Sequence, residues 1–574
     1  MSASQPLFRS HSIAPGGSQG TIIVGIDFGT TFSGAAFTRS RSVTWGYNIP
    51  PDAQQVRWFK LLLVDGKDLP DDVRHSAKLE EARDYLRKHN RTAVSVVAEY
   101  LRLLWEHCEQ RMAETIGEKT VKYGKFHIAI TVPAIWPQYA RVRMREAAQQ
   151  AGMLKDRIGG PTRLDIISEP EAAAMATLRD MKDLVDIETG DTFVVVDCGG
   201  GTADLISYEV TGLSPMEVRE CVKGEGGLCG AVFVDEAFVD LLISKLGQDT
   251  WENMDAHMRR RLVQVDWEQG VKQNYDGKDR TWVIDVPSGS INQTALVPRN
   301  AWAGSWSRVE LTGDEVRSTF DKVVSQISEM VVQQINGVKS RTKKLPRYVM
   351  LVGGLGRCKY LYAALKAYID SRIEILQSRG PGPWTAICRG AVIHAASMQG
   401  LGSFTVGIQS RIARASYGID MMERWDSSKH QEQDRFWREA RQAYYADKQM
   451  RWTLRIGDEM MSNKPVAETF TSLFPKDTET KLKHHSLSLW TSTTTPPPSR
   501  RGHDVKELPC AVEWDTEIDL RSLPIYTNPI GDEYYELRYE VQMVCIGGTL
   551  EFACYVDGKR MGTATVVANC SVVS

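Results

Sequence analysis

The 574-residue sequence predicts an α/β fold over about residues 21–402, followed by a mainly β module over 403–574. Three observations carry that prediction. Strand-like and helix-like periods alternate from "TIIVGIDFGTTFSGAAF" to "YVMLVGGLGRCKYLYAALKAYI", as in sheets whose strands are joined through helices. An acid, glycine and threonine stand at the bend between apolar runs twice, at Asp27-Phe-Gly-Thr-Thr and at Asp197-Cys-Gly-Gly-Gly-Thr, as two related halves would place them. Past residue 402 the texture changes to charged stretches, the Pro/Thr loop "LWTSTTTPPPSRRGHD", and apolar/polar alternation broken by Gly-Gly and Asp-Gly.

Each element follows in order. Residues 1–20, rich in Ser, Gly, Pro and Gln, predict a disordered tail. Val94, Val97, Leu101, Leu104, Trp105 and Cys108 fall near helical spacing, so a helix is expected over about 92–116 with Gly117 as its stop. "KFHIAITVP" reads as a buried strand ended by Pro133. "WPQYARVRMREAAQQAGM" reads as a helix with Pro137 in its first turn and Gly152 past its end, and with Arg141, Arg143 and Arg145 on a solvated face. "DIISEPEAAAMATL" predicts a strand, a Glu-Pro break and an Ala-rich helix, and "GEGGLCGAVFVDEAFVDLL" a glycine bend feeding a helix. Thr312 and Glu315 have capping-box spacing ahead of a helix of about five turns.

Composition narrows the function classes. A net charge of -2 gives no bulk attraction to nucleic acid or to an anionic membrane. No apolar run approaches the ~18 residues of a spanning helix. The ten cysteines form no CxxC pair, and Cys198 and Cys388 sit in apolar stretches, as buried thiols of a reducing compartment do. A cytoplasmic location is expected.

The two acid-led bends carry the chemistry. Glycines let backbone N–H groups converge on an anion and let phosphate approach without a Cβ in the way. An acid beside phosphate would repel it unless a cation such as Mg²⁺, usually keeping its waters, stands between them. Thr30, Thr31 and Thr202 add hydroxyls for phosphate oxygens or for water. A third glycine turn contains Gly353, Gly354 and Gly356. The chain lacks G-x-x-x-x-G-K-[ST], a strand-following G-x-G-x-x-G and the protein-kinase H-R-D and D-F-G signals. From spacing alone, Glu268 and Lys272 read as a helix ion pair and Glu169 as an acid at a helix start.

"GIDFGTTFSG", "TVPAIW…REAAQQAGM", "IISEPEAAA", "VVDCGGGTADL", "LVGGLGR" and "CRGAV" occur in the order seen in the nucleotide-binding domain of the heat shock protein 70 family, which this chain resembles as a divergent, lid-less branch. The resemblance implies a two-lobed actin-like ATPase fold of duplicated ribonuclease-H-like domains, with lobe I about 21–210 and lobe II about 211–402. It implies Mg-ATP or Mg-ADP in the cleft. Asp27 and Asp197 would hold the hydrated Mg²⁺. Gly29, Thr30, Thr31, Gly199, Gly200, Gly201 and Thr202 would contact the β- and γ-phosphates. Glu169 would bond the waters of the metal, and Lys60, in "WFKLLL", would orient the attacking water. Glu268 and Lys272 match adenosine contacts, while Gly353, Gly354, Gly356 and Arg357 would line the α-phosphate and ribose.

Departures from the family pattern matter equally. The run "SGAAFTRSRSVTWGYNIPPDAQQVRWFK" omits about two strands' length, the third turn reads GGLGR, and Trp384 replaces a common acid. No Leu-rich acidic linker occurs near 400–415, and the chain ends on a strand-like segment without a helical lid. The expected function is slow Mg-dependent ATP hydrolysis (ATP and water to ADP and phosphate) that drives lobe closure and binding of protein or peptide clients, with co-chaperones as possible partners. A non-hydrolysing nucleotide-binding scaffold and a small-molecule kinase of the same superfamily are the alternatives.

Overall fold

The computed structural model describes residues 21–29, 35–37, 43–45, 55–69, 71–134, 136–181, 186–287, 306–377, 382–400, 406–462, 464–477, 480–482, 485–514, 516–546 and 549–567. The expected tail, Thr30, Thr31 and most of 38–57 lie outside the described residues.

Two main sheets frame the α/β part, as the alternation of periods predicts, with two small ones beside them: Val43–Trp45, Ala35–Phe37 and Gln55–Val56 form one, and Trp282–Pro287 and Trp306–Leu311 the other. The first has three parallel strands, with Lys125–Val132 between Thr21–Ile26 and Arg163–Ser168. Every residue of Lys125–Val132 after Lys125 is buried, which is what a parallel strand covered on both faces requires. Helices Ala93–Ile116 and Gln138–Gln150 cover this sheet. The first opens on a capping box, Thr92 Oγ1 accepting from Ser95 N at 3.1 Å and Ser95 Oγ from Thr92 N at 3.2 Å. The expected solvated arginine face is corrected here. Arg141 is buried and Arg143, half-buried, pairs with Asp65 at 2.7 Å, whereas Arg145 is exposed as expected and donates to Leu164 O at 3.1 Å.

The second sheet has seven strands in the order Glu374–Gln377, Tyr348–Val352, Thr192–Cys198, Ala203–Leu213, Met216–Gly227, Val406–Ile412, Glu459–Met461. Thr192–Cys198 therefore already belongs to it, ahead of the lobe division expected near 210. The sheet also continues past 402, because Val406–Ile412 pairs parallel with Met216–Gly227 and Glu459–Met461 pairs antiparallel with Val406–Ile412. Helix Gly313–Thr342 spans 30 residues, longer than expected, and its capping box joins Thr312 and Glu315 at 3.2 and 2.8 Å.

Small residues let the two sheets share a core. Helix Gly382–Ser397 crosses helix Glu169–Met181 so closely that a Cβ on Gly390 would lie 1.7 Å from Ala172 O. On strand Thr21–Ile26, a Cβ on Gly25 would lie 2.3 Å from Cys388 O. Arg389 clamps the helix crossing with two 2.7 Å bonds to Asp180.

The C-terminal part is mainly β. Ten strands form one sheet around a separate apolar core that includes Trp514, Leu537, Phe552 and Cys554. Among the described residues after 412, the helical segments are three-residue 3-10 turns. Among the described residues, no helix is long and apolar enough to cross a membrane.

Candidate functional site

The strand ends of both sheets meet at one cluster of charges. In the first sheet, strand Thr21–Ile26 ends at Asp27, whose Oδ1 accepts from Thr131 Oγ1 at 3.3 Å. Phe28 turns inward against Phe59 and Tyr100, with ring centroids 5.9 and 5.3 Å away. Phe59 opens the 3-10 turn Phe59–Leu63, and that turn buries Lys60 to 1 % exposure. The Lys60 ammonium lies 5.6 Å from the Phe28 ring centroid and 5.4 Å from that of Trp136. Its partner is Glu169, 2.8 Å away, the first residue of helix Glu169–Met181. An acid at that position faces the positive end of the helix dipole.

The second sheet contributes Asp197 near the end of strand Thr192–Cys198. Its register partners are Asp204 on one side and Val352 on the other. Asp197 is 2 % exposed, and its Oδ1 has no hydrogen-bond partner. Asp204, also buried, accepts from Ala134 N at 2.9 Å through Oδ1, and its Oδ2 likewise lacks a partner.

Asp27, Glu169, Asp197 and Asp204 therefore crowd around the single ammonium of Lys60. Asp27 is exposed to solvent, yet loss of hydration where protein packs against its carboxylate, with the charge of Glu169, pushes the carboxyl up to about 6 against the pull of Lys60 and Thr131. Burial and then Glu169 push Asp204 up to about 7. Asp197 is driven well above the usual carboxylate range by burial, then by Glu169, Asp204 and Asp27. A cation between these acids would relieve both the mutual repulsion and the orphaned Asp197 oxygen. Among the described residues no three acid, His or Cys groups are arranged to ligate an ion directly. Carboxylates gathered in this way have the chemistry to hold a hydrated Mg²⁺ through its waters.

The glycine loop is shaped by the helix that follows it in space. Gly230, Ala231 and Val232 at the start of helix Ala231–Leu246 donate to the carbonyls of Gly201, Gly199 and Gly200 at 3.2, 3.1 and 2.9 Å. The loop closes on itself by Gly199 N donating to Thr202 O at 2.9 Å, and the Thr202 hydroxyl bonds Asp204. The third turn approaches from the neighbouring strand. Gly353 has φ +82°, and a Cβ there would lie 2.5 Å from Asp197 Oδ1. Only glycine suits that position. Gly354 and Arg357 are exposed, while Gly356 is buried and its carbonyl accepts from Gln377 Nε2 at 2.7 Å.

Glu268 and Lys272 lie on Leu262–Lys272, a π-helical stretch rather than a regular α-helix. The Lys272 amine bonds Glu268 at 2.6 Å and Asp235 at 2.7 Å. Asp235 Oδ1 also accepts from Trp267 Nε1 at 2.7 Å, and Trp267 stacks on Phe238 at 4.1 Å. The charge of Lys272 reaches Cys358, just past the third glycine turn. At the cleft rim Lys78 pairs with Glu236 at 2.6 Å, and Trp58 meets Phe233 edge-on at 5.8 Å.

Asp27, Lys60, Glu169, Asp197 and Thr202 thus converge, and Glu268 and Lys272 pair beside the third turn. Sequence reasoning missed two acids. Asp204 is visible in "GGGTAD" but received no role, and Asp235 stands beside Glu236 in the otherwise apolar run "AVFVDEAF".

Comparison with known proteins assigns the chain to a family. A family model described as Hsp70 protein matches residues 74–456, beginning after Asp27 and Lys60. A second, described as a domain of unknown function (DUF8568), matches residues 411–556. Heat shock 70 kDa protein 12B of Homo sapiens is 25 % identical over 526 residues, 73 % of this chain and 74 % of that protein. Heat shock 70 kDa protein 12A of Homo sapiens is 23 % identical over 71 % of this chain and 73 % of its own length. Chaperone protein DnaK of Mycoplasma mycoides subsp. mycoides SC is 24 % identical over 56 % of this chain and 46 % of its own.

Proposed function

Because this chain belongs to the Hsp70 family, a family of nucleotide-binding proteins, we propose that it binds Mg-ATP between its two sheets, hydrolyses it slowly, and couples that cycle to its C-terminal β module. The observation that carries the reading is the convergence of Asp27, Glu169, Asp197 and Asp204 on Lys60, with an unpartnered Asp197 oxygen among them.

Asp27 and Asp197 hold the cation through its waters, each from the end of a strand in its own sheet. When bound, Mg²⁺ supplies positive charge to the phosphate oxygens. Glu169 bonds the waters of the metal and anchors Lys60, whose ammonium orients the attacking water against the γ-phosphate. Gly29, Thr30 and Thr31, together with Gly200, Gly201 and Thr202, contact the phosphates through backbone N–H groups and hydroxyls, and Gly199, whose N–H is held by Thr202 O, flanks them without a Cβ. Glu268 and Lys272 contact the adenosine, and Gly353, Gly354, Gly356 and Arg357 line the α-phosphate and ribose. Phe28 and Trp136 keep the Lys60 ammonium dry, which strengthens its field.

The nucleotide-binding part runs from 21 to about 412 in this reading, with Glu459–Met461 returning to its sheet. The β module takes protein or peptide clients, as the relatives named chaperones suggest. The second reading, a nucleotide-binding scaffold without turnover, is favoured by one feature: the Lys60 amine is already taken by Glu169.

Steady-state ADP release separates these. Slow, Mg-dependent turnover that disappears in Asp197→Ala supports hydrolysis. Nucleotide binding without turnover supports the scaffold, and ADP release only when a sugar is supplied supports a kinase.

A further inference from the structure

The first turn of helix Glu169–Met181 holds two buried acids that serve different neighbours. Glu169 faces the cleft and pairs with Lys60. Glu171, two residues on, faces away and pairs with Arg411 through two bonds, 2.6 Å from Nη2 and 3.3 Å from Nε. Both members of that second pair are almost fully buried. Arg411 lies on strand Val406–Ile412, next to the edge strand Glu459–Met461 of the second sheet, where the chain passes into the C-terminal module.

The strand itself is firmly held. Glu220 on strand Met216–Gly227 accepts from Ile412 N at 2.9 Å and pairs, fully buried, with Arg414. Glu459, from within the C-terminal sequence, bonds Ser410 and Arg341. Arg411 is thus a rigid strut, and the helix turn it grips is the one that presents Glu169. Directly after Glu171 comes Ala172, where helix Gly382–Ser397 makes its closest approach at Gly390.

Burial pushes the Glu171 carboxyl up, and Arg411, with help from His394 and Arg141, more than offsets it, holding Glu171 ionised. A buried ion pair of this kind is weak evidence of net stabilisation, since two apolar residues of similar size often do as well. What an apolar pair cannot do is fix a direction: the bidentate guanidinium sets the orientation of the carboxylate and of the backbone turn behind it.

We propose that Arg411 is a positioning residue for Glu169: by gripping Glu171 it sets the helix turn that aims Glu169 at Lys60, and so ties the entry strand of the C-terminal module to the cleft. This rests on the hydrolysis reading above, and its test is arranged so that the two can fail separately.

Turnover of Mg-ATP and thermal unfolding are measured on the full chain for wild type, Arg411→Met, Arg411→Lys and the double variant Glu171→Met/Arg411→Met. The single Met variant leaves Glu171 buried without a partner, so it loses both stability and turnover. The double variant removes the lone charge and regains the unfolding midpoint. If Arg411 positions Glu169, kcat in the double variant stays about tenfold or more below wild type, with KM for ATP within about twofold, because the misplacement is geometric. Arg411→Lys, which keeps the charge, recovers part of kcat.

Recovery of kcat together with the midpoint in the double variant overturns the proposal, since the pair is then structural only. Undiminished kcat in Arg411→Met overturns it as well. A wild-type chain with no turnover overturns the hydrolysis reading and this role with it, a result distinct from either variant outcome.

Discussion

The two acid-led bends look alike in the sequence and differ in the fold. Asp27 has solvent on one side and a hydroxyl partner in Thr131. Asp197 is sealed in, with one carboxylate oxygen unpartnered, Asp204 opposite it in register and Gly353 pressed against it. The first is an acid that water can serve when the cleft is empty. The second is an acid that needs something brought to it. The difference teaches that the second sheet supplies the demanding half of the site and the first sheet, through Lys60, supplies the compensating charge.

Breaking the link between the halves has the largest expected effect. Lys60→Met removes the cation that, among the described residues, faces both acids, and turnover should fall by about 10²–10³-fold. It also leaves Glu169 buried and unpaired, so unfolding free energy measured by denaturant should drop by about 3–5 kcal/mol. Next comes the contrast between the acids themselves. Asp197→Asn should weaken Mg-ATP binding by about 100-fold in calorimetry, at the upper end of what such supporting ligands contribute, and Asp27→Asn by about tenfold. Asp197→Asn should leave the nucleotide-free protein as stable as wild type or more so, because a costly buried carboxyl is gone.

The glycines sharpen the same comparison at a smaller scale. Gly353→Ala places a Cβ on the Asp197 carboxylate and the Cys198 carbonyl at a positive φ, and should destabilise the chain by about 1–3 kcal/mol. Gly29→Ala meets nothing within 4 Å and should cost under about 1 kcal/mol. Equal costs at the two positions would erase the asymmetry.

The smallest effect lies outside both bends. His394, buried near Glu171, Asp165, Arg411 and His127, is held neutral because burial lowers its pKa, despite the acids that raise it. The unfolded chain therefore binds a proton near pH 6.5 that the folded chain refuses, and stability is lost as pH falls through that value. The raised carboxyls of Asp27, Asp204 and Asp197 act in the opposite sense, because the folded chain takes up their protons as pH falls. The share of His394 is therefore read as a difference: between pH 7 and 5 the unfolding midpoint of His394→Gln should gain on that of wild type.

Much of this was readable from residues. "FVVVDCGGGTADL" reads as a buried hairpin about a glycine bend, and Thr192–Cys198 and Ala203–Leu213 do pair antiparallel across it. Lys60, flanked by aromatics, was ambiguous from sequence because a snorkelling surface lysine looks the same. Only the fold brings Phe28, Trp136 and Glu169 around it. The continuation of the second sheet past 402 was not readable, because pairing of Val406–Ile412 with a strand some 190 residues earlier leaves no local trace. Nor was the burial of Arg141: helical spacing places it on a face but says nothing of what packs there. The π-helical turn at Glu268 and Lys272 likewise hides inside a spacing that a regular helix also satisfies.

The central claim is that Asp27 and Asp197 serve one ion between two sheets, and a double-variant cycle tests it most directly. Calorimetric affinities for Mg-ATP are measured for wild type, Asp27→Asn, Asp197→Asn and both together, each with and without Mg²⁺. A shared ion predicts that the double variant binds no more weakly than Asp197→Asn alone, and that removing Mg²⁺ abolishes the difference between wild type and every variant. Fully additive losses, or wild-type affinity that ignores Mg²⁺, would contradict it.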